Sequence, residues 1–332
     1  MIYITSGPVS SELSVFHSPL ALSTRIYQMG DTDLQEAIFI ENKVDLGRHN
    51  AEVYMRFQTD LDTGTTAGGV TNGEDLPTFY TDQNGLTMEK RVKVERIRIE
   101  GNYYPVNTMA FIQDEDTELR FSVLVDRSHG FSSFEYGRIE TLVERRTVFD
   151  DSRGMGEGVT DNRPTISNYV LLLEKVNLQG GSDYRRSLPT MKAQHFSQEL
   201  IYQPSMFIYN QLIDAPKSPS IFSLFSQPLP CDAHVLNLRT MSRNHGNLEI
   251  QFPTEKALLV LQKFAFNCKE GEKQSCGNFF FYPDTRFNRL RVGGIERTDL
   301  TGIKGIKGGN FSHLHQVLAD PFDITSVVVT FA

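Results

Sequence analysis

The stretch Arg145–Pro164, RRTVFDDSRGMGEGVTDNRP, concentrates groups that could do chemistry. Two adjacent carboxylates stand at Asp150 and Asp151, a guanidinium at Arg153, glycines at 154, 156 and 158, and a polar pair at Asp161 and Asn162. The glycines are spaced GxGxG rather than GxGxxG. A strand-like run, not a helix, follows them, so no helix N-terminus waits for a pyrophosphate. A calcium loop also fails: counting from Asp150 or Asp151, oxygen ligands do not recur at alternate positions and no glutamate stands at the twelfth. The residues themselves leave two readings open. One is an arginine–aspartate pair that ties down a turn. The other is a tight excursion that presents Arg153, whose planar fork of donors suits paired hydroxyls or a carboxylate.

Other candidates carry less. Asp126, Ser128 and His129 adjoin in DRSHG, but a serine triad assembles residues distant in sequence, so this stretch is read as a turn. His313 and His315 share one strand face without a third ligand at metal spacing, and are read as solvated or packed. QDEDTE, Gln113–Glu118, is expected to be a solvated hairpin tip, because that many like charges are costly to bury. The cysteines are Cys231, Cys268 and Cys276. Cys268 and Cys276 enclose polar KEGEKQS and are read either as a small disulfide loop in an oxidising compartment or as reduced thiols. Asn310 opens NFS, a glycan acceptor in a secretory compartment. No metal site is expected in this chain.

The elements that must position these groups are strands. Runs such as LRFSVLVD, YVLLLEKV, ALLVLQKFAF and SVVVTFA are short, rich in Val, Leu, Ile and Phe, and bounded by turn residues. RVKVERIRIEG, Arg91–Gly101, alternates with a change of phase at Glu95 and Arg96 that predicts a bulged strand. Strands without intervening helices predict an all-β fold of antiparallel β-sandwiches. Gln194–Gln203 is the best helical candidate. The organisation expected is a large β-sandwich region over 1–180, incomplete at its N-terminus, an irregular connection over 181–228, and a C-terminal β-domain over 229–332. The opening residues read as if entered in mid-domain, which predicts a preceding segment.

Charge and hydropathy narrow the partners. The formal net charge is −8 over 332 residues and no basic run occurs, so nucleic acid and anionic membrane are not expected. No stretch approaches the ~20 apolar residues of a membrane span. The first residues have neither the basic start nor the apolar core of a signal peptide.

Five stretches carry a resemblance: FYTDQNGL (79–86), GNYYPVNTMAFIQD (101–114), GFSSFEYGRIETLVERR (130–146), DDSRGMGEGVTDN (150–162) and LPCDAHVLNLRT (229–240). In order and spacing they resemble the C-terminal β-region of class II α-mannosidases, glycoside hydrolase family 38, from about Ile38 to the C-terminus. LPCDAHVLNLRT, FNCKE and SCGNFF resemble the Golgi branch, whereas GNYYPVNT and LVDRSHGFSS lean toward the lysosomal one. The resemblance implies a mutarotase-like large sandwich plus a smaller C-terminal β-domain. It implies retaining hydrolysis of α-mannosides in N-glycan processing, by a zinc-binding barrel that is absent from this chain. No catalytic residue or zinc ligand is therefore expected here. The one active-site contribution implied is Arg153, matching the arginine of the family's DDxRG and reaching the sugar, with Asp150, Asp151, Gly154 and Asp161 supporting the loop. Met155 and Glu157 depart from the family's commoner Leu and Gln. The partners implied are a mannose-containing N-glycan and the catalytic barrel, and the location is the Golgi lumen, with the lysosome as the alternative. A non-catalytic carbohydrate-binding or scaffold module is the other reading.

Overall fold

The structure, a computed structural model, describes residues 1–30, 32–64, 76–150, 152, 154, 156–178, 183–206, 229–243, 252–267, 292–311 and 323–331. The chain divides into two compact units, Met1–Ser205 with Phe266–Glu272, and Met206–Ala265 with Lys273–Ala332.

The strands of the first unit are β1 (Ile2–Ser6), β2 (Ser10–His17), β3 (Leu20–Tyr27), β4 (Ala37–Val44), β5 (Ala51–Gln58), β6 (Thr78–Gln83) and β7 (Thr87–Val92). They continue with β8 (Tyr104–Val106), β9 (Met109–Asp114), β10 (Leu119–Val125), β11 (His129–Ser132), β12 (Arg138–Arg146) and β13 (Thr165–Lys175). Helices α1 (Asp183–Ser187) and α2 (Met191–Ile201) follow. A nine-stranded sheet runs β1-β2-β3-β4-β13-β10-β9-β6-β7 and a four-stranded sheet runs β5-β12-β11-β8. The pairings are antiparallel. Ile112, Val123, Val125, Tyr169 and Leu171 of the larger sheet meet Phe131 and Ile139 of the smaller in one core. The all-β sandwich expected from the strand pattern is the fold observed.

The centre of the larger sheet is buried on both faces, which explains runs such as SVLV and YVLLL that do not alternate. Val123 and Val125 turn into the sandwich core, while Leu124 turns the other way to meet Met109, Val170 and Leu172, and Ala193 and Phe196 of α2. Each such side chain contributes about 1.5–3 kcal/mol on burial.

Two sequence expectations are corrected here. The segment from Asp183 to Ser205 is not an irregular connection but two helices belonging to the first unit. Thr190 starts α2 earlier than expected because its Oγ1 accepts the Ala193 N–H at 3.0 Å while donating to the Glu174 carboxylate at 2.9 and 3.0 Å. The rest of that span, 207–228, lies outside the described residues. RVKVERIRIEG is not one bulged strand: β7 ends at Val92. The buried Asn102 amide replaces a neighbouring strand, accepting from Val94 N–H at 2.7 Å and donating to the carbonyls of Val94 and Arg98 at 3.2 and 3.3 Å.

Arg120 fastens α1 and the turn after it to the outer side of the larger sheet. It is 1% exposed. Its guanidinium donates to Gln113 Oε1 at 3.1 and 2.8 Å, to Leu188 O at 2.6 Å and to Arg186 O at 2.6 Å. It also lies 3.9 Å over the Phe111 ring. Burial pulls its pKa down to about 10, so it remains charged at neutral pH.

The second unit contains β14 (Ala233–Arg243), β15 (Phe252–Lys263), β16 (Val292–Thr298), β17 (Gly305–Phe311) and β18 (Ile324–Phe331), in the order β14-β15-β18-β16-β17. Leu259, Leu261, Ile295, Val327 and Val329 form its core. Cys231 is disulfide-bonded. Nearby, antiparallel pairing sets Ala233 opposite Lys263 and directs Phe264 N–H to Asp232 O at 2.7 Å. Cys268, Cys276, His313 and His315 themselves lie outside the described residues.

Arg120→Met leaves two carbonyls and the Gln113 amide oxygen without a donor, and should cost the first unit about 3–5 kcal/mol. Urea unfolding followed by circular dichroism measures it; a loss below about 1 kcal/mol, the size of an ordinary surface change, contradicts the anchoring role.

Candidate functional site

The stretch singled out by its chemistry joins the two sheets. β12 ends in the four-stranded sheet and β13 begins in the nine-stranded one, so residues 147–164 cross from one layer to the other. Thr147 and Val159 close the foot of this crossing, the Thr147 N–H donating to Val159 O at 3.0 Å. Gly158 is required there, because a Cβ would stand 2.4 Å from Thr147 O. Gly156 has φ +76°, a left-handed conformation glycine adopts without strain. Asp150 Oδ2 accepts the Ser152 N–H at 2.9 Å and so supports Ser152 at φ +61°. Beside Gly154 there is open space.

At the far end Asp161 is exposed, while both polar atoms of the Asn162 side chain are buried without a hydrogen-bond partner. Asp151, Arg153 and Met155 lie outside the described residues. The structure therefore gives the loop's pedestal: a closed foot, a glycine that admits no side chain and an Asp150 turn.

The remaining motifs resolve into structural work elsewhere in the first unit. In FYTDQNGL, buried Asp82 accepts from Gly85 N–H at 2.6 Å, and from Asn107 and Thr108 N–H at 2.8 and 3.1 Å. It thus binds the β6–β7 turn to the start of β9. Gly137 has φ +65° and space for no Cβ, since one would lie 2.6 Å from Thr59 O. In QDEDTE the tip is a turn, but Gln113 and Asp114 are buried. Gln113 binds Arg120, and Asp114 Oδ1 accepts the N–H groups of Asp116 and Thr117 at 2.9 and 3.1 Å. DRSHG is a turn as expected, with His129 entering β11.

Sequence reasoning missed two clusters. His129 is buried, its Nδ1 donating to Leu142 O at 3.0 Å and its Nε2 3.2 Å from the Tyr169 hydroxyl, with the rings stacked at 5.3 Å. Burial holds the imidazole below its usual pKa and so keeps it neutral. Glu140 is 4% exposed although it lies on the outer face of the smaller sheet. It accepts the Tyr103 hydroxyl and Arg56 Nε, the latter at 2.7 Å. Alternation alone places Glu140 outward; only the cross-strand pairing with Arg56 and the covering Tyr103 ring bury it.

Among the described residues no three His, Cys, Asp or Glu side chains cluster to hold a metal ion, so these residues do not fit a zinc site. No helix of the described residues is long and apolar enough to cross a membrane.

Comparison with known proteins places this architecture. The family model described as "Glycosyl hydrolases family 38 C-terminal domain" matches residues 1–153. The chain is 36% identical over 333 residues to "Alpha-mannosidase 2" of Spodoptera frugiperda, covering 92% of this chain and 28% of that protein. It is 29% identical over 334 residues to "Lysosomal alpha-mannosidase" of Dictyostelium discoideum, covering 94% of this chain and 30% of that protein. A solved α-mannosidase from Enterococcus faecalis V583 superposes with a TM-score of 0.46 at 10% identity, covering 100% of this chain and 35% of that one. The chain thus spans less than a third of the length of these curated relatives. The family read from the sequence motifs is borne out.

Gly158→Ala should destabilise the first unit by about 1–3 kcal/mol through backbone strain, whereas Gly154→Ala should change it by less than about 0.5 kcal/mol. Equal effects in urea unfolding overturn the assignment of the foot. A separate expectation concerns pH. The His129 pKa is lowered by folding, so its contribution is complete above its unfolded value of about 6.5 and is lost as pH falls below that. Stability measured between pH 7.5 and 5.5, with about 6.5 as the turning point, should fall, and His129→Gln should flatten the slope; an unchanged slope contradicts it.

Proposed function

We propose that this chain is the C-terminal β-region of an α-mannosidase acting on mannose-containing N-glycans, and that it contributes Arg153 to the sugar site. The observation that carries this reading is the DDSRG loop. It is the family's arginine motif, and it is strung between two sheets on a foot that tolerates no side chain at Gly158. Such an excursion leaves the sandwich intact while presenting a guanidinium beyond it. Five donors in a fixed fork bind adjacent sugar hydroxyls, or align a carboxylate beside them. Asp150, Asp151, Gly154 and Asp161 hold and space the loop.

The bond-breaking groups belong to the remainder of the whole protein. A retaining glycosidase uses two carboxyl groups about 5–5.5 Å apart, one as nucleophile and one as acid then base. Zinc, implied for the whole enzyme, takes its ligands from that remainder too. This chain's share is to bind and orient mannose.

The Golgi lumen is the compartment we favour, with the lysosome as the alternative. The disulfide at Cys231 supports an oxidising compartment. Asn310 is exposed on β17, where an N-linked glycan can be accommodated.

In the whole enzyme, Arg153→Ala should lower kcat/KM for an aryl α-mannoside about 10- to 100-fold, the loss of a charge-assisted hydrogen bond, with the melting temperature unchanged. Unaltered kcat/KM removes Arg153 from the sugar site. The chain alone should show no zinc-dependent hydrolysis of the same substrate, and measurable turnover contradicts the division of labour.

A further inference from the structure

A groove of about 620 Å³ lies on the outer face of the smaller sheet, lined in part by Arg145 near the end of β12 and Thr165 at the start of β13. Its size is that of small-molecule sites, about 300–1,000 Å³. Register explains why it exists. Pro105, Gly130, Leu142 and Tyr54 form one cross-strand row, and Tyr103 precedes the row's first strand. Gly130, having no side chain, lowers the floor. Tyr103 forms the wall beside it, its Cδ1 3.5 Å from where a Gly130 Cβ would stand.

The wall is held rigid by the cluster that sequence reasoning missed. The Tyr103 hydroxyl donates to buried Glu140, which is also bonded to Arg56. The Tyr103 ring meets Phe134 edge-on at 5.8 Å and Tyr54 at 5.8 Å. Burial and the Glu140 carboxylate raise the Tyr103 pKa well above its ordinary value, so the hydroxyl remains a donor. A buried carboxylate on an outer sheet face is costly, and here its result is a fixed aromatic ring.

The rim is charged. A β-bulge between Leu142 and Glu144 redirects β12 at this point, and Glu144 and Arg145 line the groove from its far side. Glu144 Oε1 accepts the Arg145 N–H at 3.0 Å, which orients the carboxylate. Arg127 is exposed on the near side, its Nε 3.4 Å from Asp126 Oδ1.

We propose that this groove is a second saccharide-binding site, taking a neutral mannose-bearing oligosaccharide. The apolar face of one sugar ring stacks on Tyr103, and its hydroxyls are bonded by Arg127, Glu144 and Arg145. A flat, pre-fixed ring flanked by forked donors and a carboxylate suits a polyhydroxylated ring, whose CH face is apolar and whose hydroxyls both donate and accept. The mixed charge of the rim disfavours a strongly anionic ligand. The site rests on the reading that the protein handles mannose-bearing glycans. Its position, at the ends of the strands that carry the Arg153 loop, suits an outer branch of the same glycan.

Saturation-transfer NMR of the purified chain with α-mannotriose tests the proposal. Transfer to the trisaccharide is expected in the wild type. It should fall about fivefold or more in Arg127→Ala/Arg145→Ala, whose exposed side chains are not needed for folding, and vanish in Tyr103→Ala. Absence of transfer in the wild type, or equal transfer in the double arginine variant, overturns the groove. That failure is distinguishable from failure of the Arg153 reading, which is decided by whole-enzyme kinetics on a single-sugar substrate.

Discussion

The packing of Val123, Val125, Tyr169 and Leu171 against Phe131 and Ile139 fixes the end of β12 relative to the start of β13, and the Arg153 loop is strung between those two points. A loop tied to one sheet would move with that sheet's edge. This one is held at both ends by strands whose neighbours share a close-packed core. Close packing makes that core resistant to small displacements, so the foot is as rigid as the sandwich beneath it. The closed Thr147–Val159 bridge and the absence of room at Gly158 then narrow the directions the loop can take.

The opposite face of the larger sheet is closed by a different device. Arg120 and Glu174 lie opposite each other on β10 and β13. One donates to carbonyls at and after the end of α1, and the other accepts the hydroxyl that caps α2. Helices of five and eleven residues would be marginal in water, and tertiary anchoring holds them. Their apolar contacts complete the second face, which keeps β10 and β13 dry on both sides. The same logic recurs on the outer face of the smaller sheet, where Glu140 and Arg56 fix Tyr103. In both places a buried charged group serves geometry.

Strand composition made the all-β class legible, and the linked motifs made the family legible. Long-range register was not. The Arg91–Gly101 alternation looked like a strand because the Asn102 amide, eight residues from Val94, leaves no periodic trace. Only Gln194–Gln203 looked helical after Asp183, because the residues that anchor the two helices, Arg120 and Glu174, lie elsewhere in the chain. Glu140 looked like a solvated surface carboxylate, since period-two alternation reports the face and not what covers it.

The most direct measurement of the central claim is a crystal structure of the whole enzyme with a mannose-mimicking inhibitor bound. The loop is expected to extend from its Thr147–Val159 foot, with the Arg153 guanidinium about 2.7–3.2 Å from the inhibitor's hydroxyls or from a carboxylate that touches it. An Arg153 folded back onto Asp150 or Asp151, with no contact to the bound sugar, contradicts it.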